Sequence, residues 1–448
     1  MKPLRNLVLA ATCATLLATS SARAQNFSEI KPAPQQTAWQ DLEFGVILHF
    51  STNTFLDREW GDGHADPKVF NPTDFNPDQW MEAIKASGAT YVVLVAKHHD
   101  GFCLWPTEQT DYSIKASPWK NGKGDIVGEV AASARKHGLK FGIYLSPWDR
   151  HDPRYKDNAA YDNYYQSELE ELVTRYGDLT EFWLDGAGSG GHVYNFPRII
   201  ETLRTYQPNT VVFADTALFE YGDARWVGTE SGRVNYENWN AIDRHGFLRW
   251  RPVEADTPLR DLHWFWHPND DKSLKSLDEL LNTWDQTVGR GAQLMLGVAP
   301  DNRGLLPDSD AARLKEFGAA LKARYSHNLV SERTPASLDI SAALDSNPDT
   351  FWSAPAGSHH ATIEVSFPKP VTFNRALTME WLNDGQHVQK YAIEIYDGHN
   401  WKPVAHAQAI GHEKIDIFDK VTASKVRLNI LSSSSEAHIR EFQLYLVP

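Results

Sequence analysis

The sequence predicts a (β/α)8-like TIM barrel followed by an antiparallel β-sandwich, and three observations support this. Segments of strand length alternate with segments of helix length as far as Tyr325. The strand segments are apolar on both faces, which is typical of a parallel sheet covered by helices. After Asn328 the pattern changes to short alternating strands separated by turns. We therefore expect a leader at 1–24, the barrel at 25–332 and the sandwich at 333–448.

Short apolar runs predict the barrel strands. They are Phe44–Phe50, Tyr91–Ala96, Lys140–Leu145, Glu181–Leu184, Thr210–Ala214 and Gln293–Val298. Longer amphipathic segments between them predict the helices. These are Asp78–Ser87, Ile126–His137, Tyr164–Tyr176, Phe196–Tyr206, Leu277–Val288 and Asp308–Tyr325. An open dinucleotide-binding sheet would need a Gly-x-Gly-x-x-Gly turn after the first strand, and none follows Phe50.

The C-terminal part reads as antiparallel strands with alternating polarity. The predicted strands are Ala361–Phe367, Tyr391–Tyr396, Lys425–Leu431 and Ile439–Leu446. Turn signals such as Asp397-Gly398 separate them. We expect this module to pack against the barrel, either as a stabilising layer or as a binding domain.

The N-terminus has the pattern of a secretory signal. Lys2 and Arg5 precede an apolar stretch from Leu7 to Ala18, and Ala22-Arg23-Ala24 is a small-residue cleavage site. No later run reaches the roughly 18 apolar residues that a membrane span needs. We therefore expect an exported, soluble protein, periplasmic or secreted, with no membrane insertion.

The charge of the chain argues against nucleic-acid binding. The chain has 44 Lys and Arg against 58 Asp and Glu, a net charge of −14. Such an acidic surface repels phosphate backbones, so we expect no nucleic-acid partner.

The chain has only two cysteines, Cys13 and Cys103, and we expect Cys13 to be removed with the leader. The mature chain can form no internal disulfide and must rely on its core.

Polar and aromatic side chains gather where the predicted strands end, which is where barrel enzymes place their working residues. These residues are His49, Lys97, His98, His99, Asp100, Tyr144, Trp148, Asp149, His151, Trp183, Asp185, Asp215 and Glu230. Several of the 16 Trp residues, Trp264 among them, also stand beside polar groups. An apolar face beside hydrogen-bonding groups suits a sugar ring.

Two chemistries fit histidines together with carboxylates. Metal-assisted hydrolysis would use His98-His99-Asp100, but adjacent histidines usually point in different directions, and we expect no metal or other cofactor. Glycoside hydrolysis needs one ionised and one protonated carboxyl group. Asp185 and Glu230 are the best pair, because each follows a strand-like segment beside glycine. The other candidates for the acid are Asp215, Glu220, Asp223 and Glu237.

Four strings in this order resemble a known enzyme family. They are Phe44–Phe50, Glu59-Trp60, Lys97–Phe102 (KHHDGF) and Phe182–Gly186 (FWLDG), and Leu294–Asp301 adds a fifth. The chain resembles the α-L-fucosidases of glycoside hydrolase family 29. The resemblance implies a retaining, double-displacement mechanism on a barrel, with a fucosylated oligosaccharide as substrate.

The resemblance also implies site residues. The nucleophile is Asp185, the Asp of the F-W-x-D string. A Gly-Thr-Glu segment that ends 45 residues later resembles the 1,3/1,4-linkage-specific subfamily and makes Glu230 the acid/base. The implied fucose pocket consists of His49, Glu59, Trp60, His98, His99, Tyr144 and Trp183.

The segment Ala343–Ser353 (ALDSNPDTFWS) resembles the discoidin-like, coagulation factor V/VIII type C sandwiches. Many of these are carbohydrate-binding modules, so contact between the sandwich and a glycan is one expectation. The Asp and Asn residues of the motif serve either a structural Ca²⁺ or a turn. Two alternatives remain for the whole chain: an inert glycan-binding barrel, or a fucosidase of another linkage preference. Release of fucose from oligosaccharides discriminates between them.

Overall fold

The computed structural model describes residues 29–214, 221–241, 248–334 and 338–448, so the predicted leader, Asp215 and Glu220 lie outside it. Eight parallel strands form a closed barrel within these residues. They are β1 (Phe44–Leu48), β2 (Tyr91–Lys97), β3 (Lys140–Leu145), β4 (Glu181–Leu184), β5 (Val211–Ala214), β6 (Ala224–Trp226), β7 (Val253–Pro258) and β8 (Gln293–Val298). Each strand pairs with the next, and β8 pairs with β1 to close the ring. The predicted barrel is confirmed.

Helices cover the barrel. They are α1 (Pro34–Gln40), α2 (Thr52–Leu56), α3 (Pro77–Ala86), α4 (Ile126–Lys136), α5 (Asn158–Arg175), α6 (Phe196–Tyr206), α7 (Leu277–Gln286) and α8 (Asp308–Arg324). Helix α5 begins six residues before the predicted start, because Asp157 caps it by accepting the backbone N–H of Ala160. The buried apolar faces of α3, α4 and α8 pack against the strands in one continuous core.

The sequence did not predict strand β7, and it indicated β6 only as a strand-like approach to Glu230. The six residues of β7 are all buried, although Glu254 and Asp256 are among them. Both side chains lie inside the barrel, where the apolar pattern used to find buried strands does not apply. No α-helix lies among the described residues between β5 and β6 or between β6 and β7.

The C-terminal module is antiparallel, as predicted. Its strands are β9 (Trp352–Ser353), β10 (Ala361–Glu380), β11 (Val388–Tyr396), β12 (Trp401–Ala407), β13 (Lys414–Ser433) and β14 (His438–Tyr445). They pair in the order β12-β11-β13-β10-β14-β9. The two 20-residue strands β10 and β13 carry register shifts along their pairing. The module has an apolar core of its own, which supports an independent β-layered unit.

The segment after β6 joins the two modules. The Glu237 carboxylate accepts the backbone N–H groups of Gln408 and Ala409, and Tyr236 donates to Asp416 at 2.6 Å. The side chain of Gln386 accepts the backbone N–H of Asn240 at 2.9 Å. The sandwich therefore covers the side of the barrel where no α-helix is described. Within the described residues, no helix is long and apolar enough to cross a membrane.

Candidate active site

A cavity of about 500 Å³, including its mouth toward solvent, opens at the carboxyl ends of the barrel strands. All nine residues that the resemblance implied line it: His49, Glu59, Trp60, His98, His99, Tyr144, Trp183, Asp185 and Glu230. Ile47, Asp256 and Trp264 complete the lining. The site therefore draws on six strand ends or the loops that follow them, which bring together residues more than 200 positions apart.

Asp185 follows β4 and has a fixed orientation. Its Oδ1 accepts the backbone N–H of Ala187 at 2.8 Å, and its Oδ2 accepts the hydroxyl of Tyr144 at 2.8 Å. The Nε2 atom of His99 lies 3.5 Å from the same Oδ2. The side chain keeps 20% exposure, so its carboxylate is accessible from the cavity.

The loop after Asp185 requires a glycine. Gly188 has a φ of +70°, and a Cβ there would lie 1.9 Å from the Trp148 ring. The Trp148 ring in turn lies against His99 and Trp60, with ring centroids 5.1 Å and 5.5 Å apart. Close packing of this loop thus supports the wall of the cavity beside Asp185.

Three histidines form one wall. The rings of His98 and His99 are 4.1 Å apart, and His49 lies 5.8 Å from His98. Burial, followed by the charge of His99, lowers the pKa of His49 to about 3 and that of His98 well below its ordinary value. Both imidazoles are therefore neutral near pH 7. A neutral imidazole offers one donor and one acceptor, which suits sugar hydroxyl groups.

Aromatic rings form the floor and the rim. Trp183 stacks on Phe213 at 3.6 Å and donates its indole N–H to Glu254 at 2.8 Å. Trp264 lies 5.2 Å from His49. Trp60 is 52% exposed at the mouth, with its ring edge-to-face against His99. Apolar ring faces next to hydrogen-bonding groups match the two kinds of surface that a sugar presents.

Glu59 also holds a neighbouring loop. Its carboxylate accepts the backbone N–H groups of Trp264 at 2.9 Å and Phe265 at 3.2 Å. The Nε2 atom of His267 lies 2.6 Å from Glu59, and Nδ1 of the same ring lies 2.5 Å from Asp57. A residue expected only in the sugar pocket therefore also fixes the segment that carries Trp264.

Glu230 lies on an exposed loop between β6 and β7. Backbone hydrogen bonds tie the loop to β7 on both sides of it: Val227 donates to Glu254 O at 3.0 Å and Gly232 donates to Asp256 O at 2.9 Å. Gly232 has a φ of +65°, and a Cβ there would lie 2.8 Å from Thr257 and from Thr283. Glu230 thus lines the cavity from a loop whose backbone is anchored to β7.

The other described candidates for the acid have structural contacts elsewhere. Asp223 accepts from Arg204 and from the backbone N–H of Val212. Glu237 anchors the sandwich, as described above. Asp215 and Glu220 lie outside the described residues.

Some residues at strand ends do not line the cavity. Asp149 accepts from Lys97 at 3.2 Å and from the backbone N–H of His151. Asp100 accepts the hydroxyl of Thr52 at 2.7 Å. The rings of His98 and His99 lie side by side, but Asp100 bonds to Thr52 instead, and among the described residues no group of three or more His, Cys, Asp or Glu side chains is placed to hold a metal ion.

Sequence reasoning missed Asp256 as a cavity residue and noted Trp264 only as one of the Trp residues beside polar groups. Asp256 belongs to the strand that was not predicted. The alternation of acidic and small residues in VEADTP was the one available signal, since Glu254 and Asp256 are two positions apart and share a face. A parallel barrel whose cavity combines carboxyl groups with aromatic rings is typical of enzymes that hydrolyse glycosidic bonds.

Comparison with known proteins identifies the family. A family model described as alpha-L-fucosidase matches residues 64–325, and an F5/8 type C domain model matches 326–442. Alpha-L-fucosidase 1 of Arabidopsis thaliana is 34% identical, over 93% of this chain and 87% of that protein. The chain belongs to the α-L-fucosidase family, glycoside hydrolase family 29, and is a glycoside hydrolase.

Solved structures agree over the whole architecture. A candidate α-L-fucosidase of Bacteroides thetaiotaomicron is 33% identical with a TM-score of 0.88, over 93% of this chain and 98% of that one. A Ruminococcus gnavus family 29 fucosidase, solved in complex with fucose, is 26% identical with a TM-score of 0.85, over 96% and 97% of the two chains. Both the barrel and the sandwich therefore have counterparts in this family.

Proposed function

We propose that this protein is a retaining, exo-acting α-L-fucosidase that removes terminal α-1,3/1,4-linked L-fucose from oligosaccharides or glycoconjugates. The observation that carries the proposal is the joint placement of Asp185 and Glu230 in one cavity. The neutral imidazoles and aromatic faces of the cavity supply hydrogen bonds and apolar contacts for one fucosyl residue.

The first step forms a covalent intermediate. A carboxylate oxygen of Asp185 attacks the anomeric carbon of fucose, and the bond from that carbon to the leaving oxygen breaks. Glu230 gives its proton to the leaving oxygen, which departs as the hydroxyl group of the remaining oligosaccharide. The hydrogen bonds from Tyr144 and Ala187 hold the attacking carboxylate in place.

The second step releases fucose. Glu230, now a carboxylate, takes a proton from water, and the water oxygen attacks the anomeric carbon. The bond to Asp185 breaks and both carboxyl groups return to their starting states, with the anomeric configuration retained. The exposed loop position of Glu230 supports this role, since both the leaving group and the water reach the site from its open side.

The closed inner end of the cavity supports exo action. Ile47 and Trp183 are 2% and 6% exposed and lie at its floor, inside the barrel. A chain of sugars could not pass through this end, whereas one terminal residue could enter from the mouth.

The linkage preference rests on the Gly-Thr-Glu segment and on the family resemblance. We expect fucose release from Lewis-type trisaccharides that carry α-1,3 or α-1,4 fucose, and little release from α-1,2- or α-1,6-linked fucosides. Chromatographic quantification of fucose over this panel is the measurement. Equal rates on all four linkages would contradict the preference, and no release from any would contradict the function.

We also propose export through the N-terminal leader, on the strength of its charged start, its apolar stretch and the Ala22-Arg23-Ala24 site. The mature protein would then begin at Gln25, which N-terminal sequencing of the secreted or periplasmic form identifies.

A further inference from the structure

Asp256 is a buried acidic residue of the cavity with no role in the mechanism above. It lies on β7 two positions after Glu254, so both side chains lie on the inner face of the barrel. Glu254 is the deeper of the two and accepts from Trp183 and from the hydroxyl of Tyr91 at 3.4 Å. Asp256 is 5% exposed and lines the cavity together with Asp185 and Glu230.

The contacts of Asp256 distinguish its two oxygens. The indole N–H of Trp226 donates to Oδ1 at 2.7 Å, which fixes this oxygen as an acceptor. Among the described residues, no Lys, Arg or His forms an ion pair with the carboxyl group. The charged groups that act on it are Glu254 on its own strand and Glu230 on the neighbouring loop, and both are acidic.

These surroundings favour a protonated carboxyl group. Burial raises the pKa of Asp256 well above its ordinary value; the Trp226 hydrogen bond opposes this rise, and Glu254 and Glu230 add to it whenever they are ionised. A protonated carboxyl has an O–H donor as well as an acceptor oxygen. Because Trp226 already donates to Oδ1, the proton belongs on Oδ2.

We propose that Asp256 is a specificity-determining residue that acts as a neutral acid and donates a hydrogen bond to a hydroxyl oxygen of the fucosyl residue. The inference rests on the proposed function, because it takes the occupant of the cavity to be fucose. A site built to bond a hydroxyl group discriminates strongly against sugars that lack it, since its buried polar group would then be unpaired.

The test compares Asp256→Asn with Asp256→Ala on two substrates, a Lewis-type trisaccharide and α-L-fucosyl fluoride. The Asn amide keeps an acceptor for Trp226 and a donor toward the cavity, so kcat/KM should stay within about 3-fold of wild type. The Ala variant should lose roughly 10- to 100-fold on both substrates, as expected for a lost buried hydrogen bond. Glu364→Gln, at an exposed position of β10, is the control for a carboxyl-to-amide change.

A pH profile keeps the test decisive if the Ala variant fails to fold. The KM of the wild type should rise at alkaline pH as Asp256 loses its proton, whereas the Asn variant should lack this rise. Equal losses in Asn and Ala, wild-type kinetics in Ala, or the same alkaline profile in Asn and wild type would each overturn the proposal. If wild type releases no fucose at all, the proposed function fails instead, and the two failures are thereby distinguished.

Discussion

At the scale of single residues, the acidic side chains around β6 differ in their hydrogen-bond partners. Asp223 and Glu237 accept hydrogen bonds that join pieces of the fold, from Arg204 and from the sandwich backbone. Glu230 lies exposed at the cavity on a loop that β7 anchors through backbone atoms. A proton-transfer role for Glu230 therefore costs the fold little, whereas the same role at Asp223 or Glu237 would compete with a structural one.

Replacing Glu230 tests whether it is the acid/base, because Asp185 remains in place as the nucleophile. Glu230→Ala should slow hydrolysis of natural oligosaccharides by roughly 100- to 10,000-fold, because their leaving group needs a proton. It should hardly slow the first step on α-L-fucosyl fluoride, whose leaving group departs without one. Steady-state and burst kinetics on the two substrates measure the difference.

Glu237→Ala is the matched control, since it removes a carboxylate seven positions along the same connection. Its main effect should be a loss of stability. The ratio of the rates on the two substrates should change little. If Glu237→Ala instead shows the substrate-dependent loss and Glu230→Ala slows both substrates equally, Glu230 is not the acid/base.

Most residues that line the cavity could be predicted from the sequence, because they stand in contiguous strings at the ends of apolar strands. KHHDGF begins at the last residue of β2, FWLDG spans the end of β4, and each string places polar residues directly after an apolar strand. Asp256 could not be found this way, since the residues of β7 that face the inside of the barrel include the hydrogen-bonded acids Glu254 and Asp256, which interrupt the apolar run. The second role of Glu59 depends on contacts with residues some 200 positions away.

At the scale of elements, the loop after β7 is held by three side chains that we call the Glu59 latch: Asp57, Glu59 and His267. Both ring nitrogens of His267 lie against carboxylates, at 2.5 Å and 2.6 Å. Burial alone would lower the pKa of His267, but the hydrogen bonds and charges of Asp57 and Glu59 raise it overall above the ordinary 6.5. The imidazolium form, with two N–H donors, therefore satisfies both partners.

Removing the latch should change stability in a pH-dependent way. Because the folded-state pKa of His267 is raised, its stabilisation is fully present below the unfolded value of 6.5 and is lost as pH rises through the folded pKa. The Tm difference between wild type and His267→Gln should be largest at acidic pH and shrink toward alkaline pH. KM should rise more than kcat falls, since the latch positions Trp264 and Glu59.

His327→Gln is the control for this prediction. His327 pairs with Glu332 at 2.7 Å but is exposed and remote from the cavity, so its replacement should leave KM unchanged. A Tm difference for His267→Gln that grows with pH would contradict the role of the latch.

At the scale of the whole molecule, the sandwich replaces helices as a cover for the barrel. Gln386, Gln408 and Asp416 contact the segment 236–240, which continues from the Glu230 loop. Arg440 of the sandwich also forms an ion pair with Asp41 of the barrel at 2.6 Å, and Asp41 lies just before the start of β1. The sequence predicted a shared interface, but the contacts across it could not be read from local patterns, because they join residues 140 to 400 positions apart.

Truncation after Glu332 tests the role of the sandwich. Loss of the sandwich should lower solubility and Tm and should disorder the segment that follows Glu230. The rate of hydrolysis of a small fucoside should change less. Thermal unfolding and kinetics of the truncated chain measure both effects. If the truncated enzyme is as stable as the full chain and loses activity only on polymeric or surface-bound glycans, the module is a binding domain and not a cover.

The covalent bond that we propose between Asp185 and fucose can be detected by trapping the intermediate. A 2-deoxy-2-fluoro-α-L-fucosyl fluoride should form the fluorofucosyl-enzyme quickly and release it slowly, because the fluorine at C2 destabilises both transition states while the anomeric fluoride leaves readily. Mass spectrometry of the digested protein should then find one fluorofucosyl group on the peptide that contains Asp185, and Asp185→Ala should acquire none. Label on another carboxylate, or full turnover without any trapped species in a folded Asp185→Ala variant, would contradict the account.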